Sequence, residues 1–383
     1  MKLLIVSHTG NYPVDVGGPQ AIAHYLSLHL ARLGAQVTLY QRFTSNASRE
    51  KWSSTPEAKQ LWEAGVETLP FNADYSMKNI WRYPSYIRSS PRKLDGKHYD
   101  VVHYNSPPVD ANILLPRSYA SQGVAQSVAI HGGLFYESRN TLGRRIFRYQ
   151  AKYMSGAVVF NGFSKRIALE QGFSEAKIRV IPNGVDVEMV EGVEPKPLEG
   201  EPSVVYAGRL EPVKGVGTLL EAALTLGANL KGFRLYVAGS GSLEGLVREY
   251  AAKHPGIITY LGRLPTVRDV ISLVKGAQFA VIPSLKENFS VSLLEAMASG
   301  TPLIVSDAEG NTEVAGVEEA HFFRRGSPES LSQTLERAYT DYEESRRRAE
   351  RARLSANEKY AWPRVAAGYR DYFANLQDHV GEY

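Results

Sequence analysis

Twice along this chain, short strand-length runs of β-branched and aliphatic residues alternate with helical stretches, and a loop rich in Pro, Gly and Glu at residues 195–202 separates the two series. The first series reads as strands over residues 3–6, 36–40, 100–103 and 127–131, with a helix over about 20–32. The second reads as strands over residues 203–207, 233–238, 257–261, 279–282 and 302–305, with helices opening at Gly215 and Ser242. Such alternation is the pattern of βαβ units and a parallel sheet. With 383 residues the chain is too long for one ordinary core. The expected fold class is therefore α/β, with two Rossmann-like, doubly wound domains over residues 1–190 and 191–361. The last helix, about 362–376, carries Trp362, Tyr369, Tyr372 and Phe373. This exceeds what the second sheet needs, so residues 362–383 are expected to pack back on the first domain.

Hydrophobic residues at 43% with 22% charged describe a folded globular chain. The absence of cysteine excludes disulfides and thiolate metal sites. Met1-Lys-Leu-Leu-Ile-Val-Ser-His8 runs straight into a strand without a signal-peptide pattern, and no stretch approaches the roughly 20 apolar residues of a membrane span. A cytoplasmic location follows, with any membrane contact peripheral at the inner face. Residues 1–190 carry 22 Lys and Arg against 14 Asp and Glu, whereas the remainder carries 22 against 26. The positive charge gathers at Lys78, Arg82, Arg88, Arg92, Lys93 and Lys97, interleaved with Trp81, Tyr83 and Tyr86, and again at Arg139, Arg144, Arg145, Arg148 and Lys152. Two readings stand side by side: solvated helix faces, or a patch for an anionic acceptor or membrane surface. Nucleic acid is not expected, because the net charge is only +4 and no binding module is recognisable.

The chemistry concentrates in the run from Lys286 to Pro302, where Glu287 and Glu295 stand with seven residues between them. From Val291 to Ala298 a helix apolar on nearly every face is expected, hence buried, with Glu295 inside it. A buried carboxylate needs a partner, either a structural arginine or amide or else a ligand. Gly208-Arg209-Leu-Glu-Pro-Val-Lys214-Gly215 follows a strand and opens a helix, so Arg209 and Lys214 emerge at the carboxyl end of the second sheet. Two cations there can clamp a diphosphate, although a loop of this kind alone reads equally as surface cations. Asn288, Phe289 and Ser290 lie at the N-terminus of the expected helix, where free amides and the dipole favour a phosphate.

Gly239-Ser-Gly241 invites a dinucleotide reading. The following strand ends in Leu261-Gly262-Arg263 without the acidic residue that holds a cofactor ribose, which argues against a nicotinamide enzyme. The glycines instead allow close approach of backbone to a phosphate or to a neighbouring helix. In the first half, the loop after the first strand ends in Gly17-Gly18-Pro19, which reads as ligand-contacting backbone or as a plain turn and cap. His131, before Gly132-Gly133, ends a core strand and reads as either a satisfied core histidine or a site residue. No Asp-x-Asp pair, His-Glu-x-x-His or Walker loop is present, so neither a metal-dependent mechanism nor a further cofactor is expected.

Taken together, Gly208-Arg209 with Lys214-Gly215, Glu287-Asn-Phe-Ser290 with Glu295, Gly300-Thr-Pro302, Ser306-Asp307, Ile181-Pro-Asn-Gly-Val-Asp186 and Gly17-Gly18 resemble the retaining nucleotide-sugar glycosyltransferases of family 4. The resemblance spans nearly the whole chain. It implies the GT-B fold, two Rossmann-like domains facing a central cleft, with acceptor binding in the first and donor binding in the second. It further implies that Arg209 and Lys214 neutralise the diphosphate of a UDP- or GDP-sugar and that Glu295 binds the ribose. Glu287 would hold sugar hydroxyls, the amides of Phe289 and Ser290 would approach sugar or phosphate, Gly18 would contact phosphate and His131 would face the reacting sugar. Gly239, Arg263, Leu264 and Asn288 complete the expected donor contacts. Pro19-Gln20 after the glycine pair, and Ser290 where glycine is frequent, depart from the commoner pattern. The acceptor is expected to be a hydroxyl on an anionic or lipid-linked glycan. Two rivals share the pattern: a nucleotide-sugar 2-epimerase of similar architecture, and a non-catalytic nucleotide-sugar-binding protein.

Overall fold

The computed structural model describes residues 1–7, 10–14, 18–72, 94, 96–107, 114–131 and 141–378. It divides into two compact units, Met1–Asn183 with Trp362–Tyr383, and Gly184–Ala361. In the first unit the strands are β1 (Lys2–Ser7), β2 (Gln36–Phe43), β3 (Glu67–Asn72), β4 (Val101–Tyr104), β5 (Ala125–Ala129), β6 (Gly156–Val159) and β7 (Ile178–Val180). They form one parallel sheet in the order β3-β2-β1-β4-β5-β6-β7. Among the described residues up to Asn183 its α-helices are α1 (Gly18–Arg32), α2 (Asn46–Ser53), α3 (Pro56–Glu63), α4 (Leu115–Ala120), α5 (Thr141–Gln150) and α6 (Gly162–Glu170).

The unbroken apolar run in β1 has a direct cause. Leu3 and Ile5 enter one core and Leu4 and Val6 enter another, so both faces of the strand are covered. A strand buried on both sides tolerates no polar alternation.

The second unit opens with α7 (Val187–Glu191) and holds β8 (Ser203–Ala207), α8 (Val216–Asn229), β9 (Arg234–Ala238), α9 (Glu244–Lys253), β10 (Ile258–Gly262) and α10 (Val267–Gly276). It continues with β11 (Phe279–Ile282), α11 (Val291–Ala298), β12 (Leu303–Ser306), α12 (Glu309–Thr312), β13 (His321–Phe323), α13 (Pro328–Thr340) and α14 (Tyr342–Tyr360). The sheet order is β10-β9-β8-β11-β12-β13, again parallel. The chain therefore reverses direction across the sheet between β8 and β11, the switch point where ligands of open α/β sheets bind.

Residues 184–190, expected in the first domain, belong to the second. The Val185 amide holds the start of this stretch by donating to the Tyr360 carbonyl at 2.8 Å, and Lys275 of α10 holds its end, its Nζ donating to the carbonyls of Val190 at 3.0 Å and Val193 at 2.6 Å and so capping α7. Ser272 donates to the Glu194 carbonyl at 2.7 Å and continues the seam.

The final helix, α15 (Trp362–Asp378), buries Trp362, Val365, Tyr369, Tyr372 and Phe373 in the core of the first unit, as its aromatic content predicts. Tyr25 and His29 of α1 stack on Trp362 at 5.7 and 6.2 Å. Burial pushes His29 down to about 4, and His103 of β4, which packs against Tyr369 and Phe373, down to about 3. Both are thus neutral packing residues at ordinary pH. Gly156 begins β6 because a Cβ there would overlap the Tyr372 hydroxyl. No described helix is long and apolar enough to cross a membrane.

Candidate functional site

In the second unit the loops leaving β8 and β11 are fastened to each other. Leu285 donates its amide to the Val213 carbonyl at 2.9 Å. Gly215, at φ +69°, lies against the Pro283 carbonyl so closely that any Cβ would overlap it. Only glycine meets both demands. This seam carries Lys214 and Glu287 to one point, where Lys214 Nζ and Glu287 Oε2 pair at 2.5 Å, with side-chain exposures of 21% and 13%.

Glu287 is also held from behind. Ser284 Oγ donates to Glu287 Oε2 at 3.3 Å, and the Ser284 carbonyl accepts from Ser306 Oγ at 2.6 Å. Asn311 Nδ2 donates to Ser306 Oγ at 3.0 Å, and Ser306 and Asn311 are both fully buried. Gly310 packs beneath the carbonyls of Glu287 and Asn288, leaving no room for a Cβ.

Arg209 follows β8 and is exposed. Its carbonyl accepts from the buried Tyr206 hydroxyl at 2.7 Å, which fixes the backbone and leaves the guanidinium to reach outward. Burial raises the Tyr206 phenol far above its ordinary range, with Arg209 opposing and Glu287 reinforcing, so Tyr206 sits within the field of both. Gly239, at φ +143°, touches the Gly208 carbonyl, and its own carbonyl accepts from Tyr260 at 2.9 Å. Its role is to let the β9 loop approach the β8 loop. Arg263 is exposed and Leu264 half-buried just beyond β10.

Ser290 caps α11, its Oγ accepting from the Leu293 amide at 3.2 Å. A serine in place of the commoner glycine thus has a local reason, the capping of the helix. Phe289 is buried with its ring 6.0 Å from Tyr360, and Asn288 is half-buried beside it. Glu295 lies deep in the unit, although a crevice of about 10 Å³ lined by Val205, Val270, Val274, Val281 and Ala296 leaves part of its surface open. Among the described residues its carboxylate has no hydrogen-bond or ion-pair partner. Desolvation alone pushes its pKa up to about 7. A carboxylate in such a place carries a desolvation cost that no partner among the described residues offsets.

Gly18 and His131 belong to the first unit, and Gly17, Gly132 and Gly133 lie outside the described residues. Gly18 is the first residue of α1. Strand β5 ends at Ala129, so His131 stands two residues past the strand, its ring 4.7 Å from Phe160. Its Nε2 donates to the Asn105 carbonyl at 2.5 Å, and Asn105 Nδ2 donates to the Pro19 carbonyl at 2.6 Å. Asn105 therefore ties the start of α1 to His131. Sequence reading missed Asn105, Tyr206, Ser284 and Asn311. Their only signal was position, Asn105, Tyr206 and Ser284 lying at or just beyond the carboxyl end of a strand and Asn311 in the short helix that follows β12.

Residues 16–189 match the family model described as Glycosyltransferase Family 4, and residues 193–355 match that of Glycosyl transferases group 1. The chain is similar to a protein named glycogen synthase from Mycobacterium tuberculosis, 31% identical over 96% of this chain and 92% of the relative. Its fold is similar to that of sucrose-phosphate synthase from Thermosynechococcus elongatus, with a TM-score of 0.78 at 19% identity over 98% of both chains. It is likewise similar to Anabaena HepE in complex with UDP, with a TM-score of 0.74 at 17% identity over 98% of this chain and all of that one.

Proposed function

The chain belongs to glycosyltransferase family 4, and on that footing we propose that it moves a hexose, with retention of configuration, from a UDP- or GDP-sugar to a hydroxyl acceptor. The observation that carries the reading is the Lys214 and Glu287 pair on loops from the adjacent strands β8 and β11, followed on α11 by the unpartnered Glu295. A nucleotide sugar offers the groups these residues answer. Arg209 and Lys214 meet the diphosphate, together with the positive end of α11. Glu295 accepts hydrogen bonds from the ribose hydroxyls, and Glu287 from those of the sugar. Gly239, Arg263, Leu264, Asn288, Phe289 and Ser290 supply further contacts.

When the bond from the anomeric carbon to the phosphate oxygen breaks, negative charge grows on that oxygen. Arg209 and Lys214 stabilise it there more than in the intact donor, which lowers the barrier. The acceptor oxygen attacks the face from which the diphosphate leaves, and its proton passes to the departing phosphate oxygen. The scheme assigns the diphosphate charge to side chains rather than to a divalent ion. Product analysis tests this. The expected result is turnover that persists in excess EDTA and a glycoside with the anomeric configuration of the donor. Dependence on added Mg²⁺, an inverted product, or an epimerised donor without acceptor product would contradict it.

The acceptor we assign is an anionic or lipid-linked glycan at the inner membrane face. Support comes from α5 and the residues just after it, where Arg145, Arg148 and Lys152 are exposed, Tyr149 is 51% exposed and Lys152 Nζ lies 5.9 Å over its ring. The second basic stretch, residues 78–97, lies largely outside the described residues. Cosedimentation with anionic liposomes that weakens as salt rises is expected; no association, or association indifferent to salt, would count against it.

A further inference from the structure

The structure pairs two groups that the donor-site reading assigns to different parts of the ligand. Lys214 is to meet phosphate and Glu287 sugar, yet the two pair with each other at 2.5 Å. Neither is freely hydrated, so separating them without replacement leaves partly desolvated charges. Glu287 is not free to swing away. Ser284 holds its Oε2, Ser306 holds Ser284, Asn311 holds Ser306, and Gly310 packs beneath the carbonyl of Glu287 itself. Whatever binds Lys214 therefore binds next to a fixed carboxylate.

Resting on that reading, we infer that Glu287 makes the site discriminate against the bare nucleoside diphosphate in favour of the nucleotide sugar. A nucleoside diphosphate arriving at Lys214 places its terminal phosphate, with its extra negative charge and no hydroxyls, beside the carboxylate. The carboxylate opposes that charge and so weakens the attraction of Lys214 for it. A nucleotide sugar puts a neutral ring at that place, and its hydroxyls donate to Glu287 while the phosphates take Lys214. The pair thus penalises product and spares donor. Once the sugar has been transferred, Lys214 and Glu287 re-form their contact as the diphosphate leaves, so the same carboxylate that holds the sugar promotes product release.

The test is titration calorimetry of UDP and GDP, and of UDP-glucose and GDP-mannose, with the wild-type chain and with Glu287→Gln, whose folding is checked by its thermal transition. Glutamine keeps the size and the hydrogen-bonding capacity and removes the charge. For the nucleotide that the wild type accepts, the variant is expected to bind the bare diphosphate about tenfold more tightly, and the preference for the sugar form is expected to shrink or reverse. Ser284→Ala, which loosens the carboxylate without removing it, is expected to shift the preference in the same direction by a smaller factor. Equal or weaker diphosphate binding by a folded Glu287→Gln would overturn the inference while leaving the donor site standing. No binding of any of these ligands by the wild type would overturn the donor-site reading, and the inference with it.

Discussion

Glu295 shows how a single side chain is kept at a cost to the fold. Its pKa rises from the ordinary 4.5 to about 7 because burial disfavours the charged form and no partner offsets it. The folded state therefore binds the proton more tightly than the unfolded state. Between about pH 4.5 and 7 stability falls as pH rises, and the full penalty is present above 7. Glu295→Gln removes it, so the variant is expected to be more stable than wild type by about 1–3 kcal/mol at pH 8, with little difference below pH 4.5. The same variant is expected to lose most of the stabilisation that a nucleotide sugar confers. Urea unfolding at the two pH values checks the first expectation, and a variant less stable than wild type at pH 8 would refute it. At this scale the sequence was legible where chemistry was concentrated in one run. Of the residues singled out by type and spacing, the fold brings Lys214 from an earlier loop against Glu287, and it leaves Glu295 without a partner among the described residues. Ser284, Asn311 and Tyr206 could not be singled out in this way, because Ser284 becomes meaningful only when Ser306 of the neighbouring strand is known, and Tyr206 and Asn311 only when the loop that each pins is seen.

At the scale of elements, the site depends on a loop seam rather than on any one helix. Gly215 is its narrowest point, since it needs both a left-handed backbone and the absence of a Cβ against Pro283. Gly215→Ala is expected to cost about 2–4 kcal/mol and to displace Lys214 from Glu287, weakening donor binding well beyond the stability loss. Wild-type stability in that variant, measured by urea midpoint, would show that the seam yields without cost. The strands buried on both faces could be read from sequence almost to the residue: β8 and β11 start and end where their apolar runs do. Those missed were β3, β6, β7 and β13. Three of these are edge strands, and β3 contains Glu67 and Pro70 while β7 is three residues with Arg179 and Val180 exposed. With only one neighbour, an edge strand requires fewer apolar residues and so leaves a weaker pattern. Strand β6 is short and begins with a glycine that α15 demands, a requirement set more than 200 residues away in sequence.

At the scale of the whole chain, two parallel sheets are covered by their own crossover helices, and α15 returns to the core of the first unit. The doubled alternation of strand and helix announced the two sheets, and the aromatic excess of α15 announced its return. Residues 184–190 were assigned to the wrong domain because Tyr360 and Lys275, which hold the two ends of this stretch, lie far along the chain. In the proposed function the second unit is a nucleotide-sugar donor site organised by Lys214, Glu287 and Glu295. Titration calorimetry of the full chain with UDP-glucose and GDP-mannose, in wild type and in Lys214→Ala, tests it most directly. Saturable binding of at least one of these donors by the wild type is expected, together with at least tenfold weaker binding by a Lys214→Ala variant that still shows a cooperative thermal transition. Absence of binding to the wild type, or equal affinity in both proteins, would contradict it.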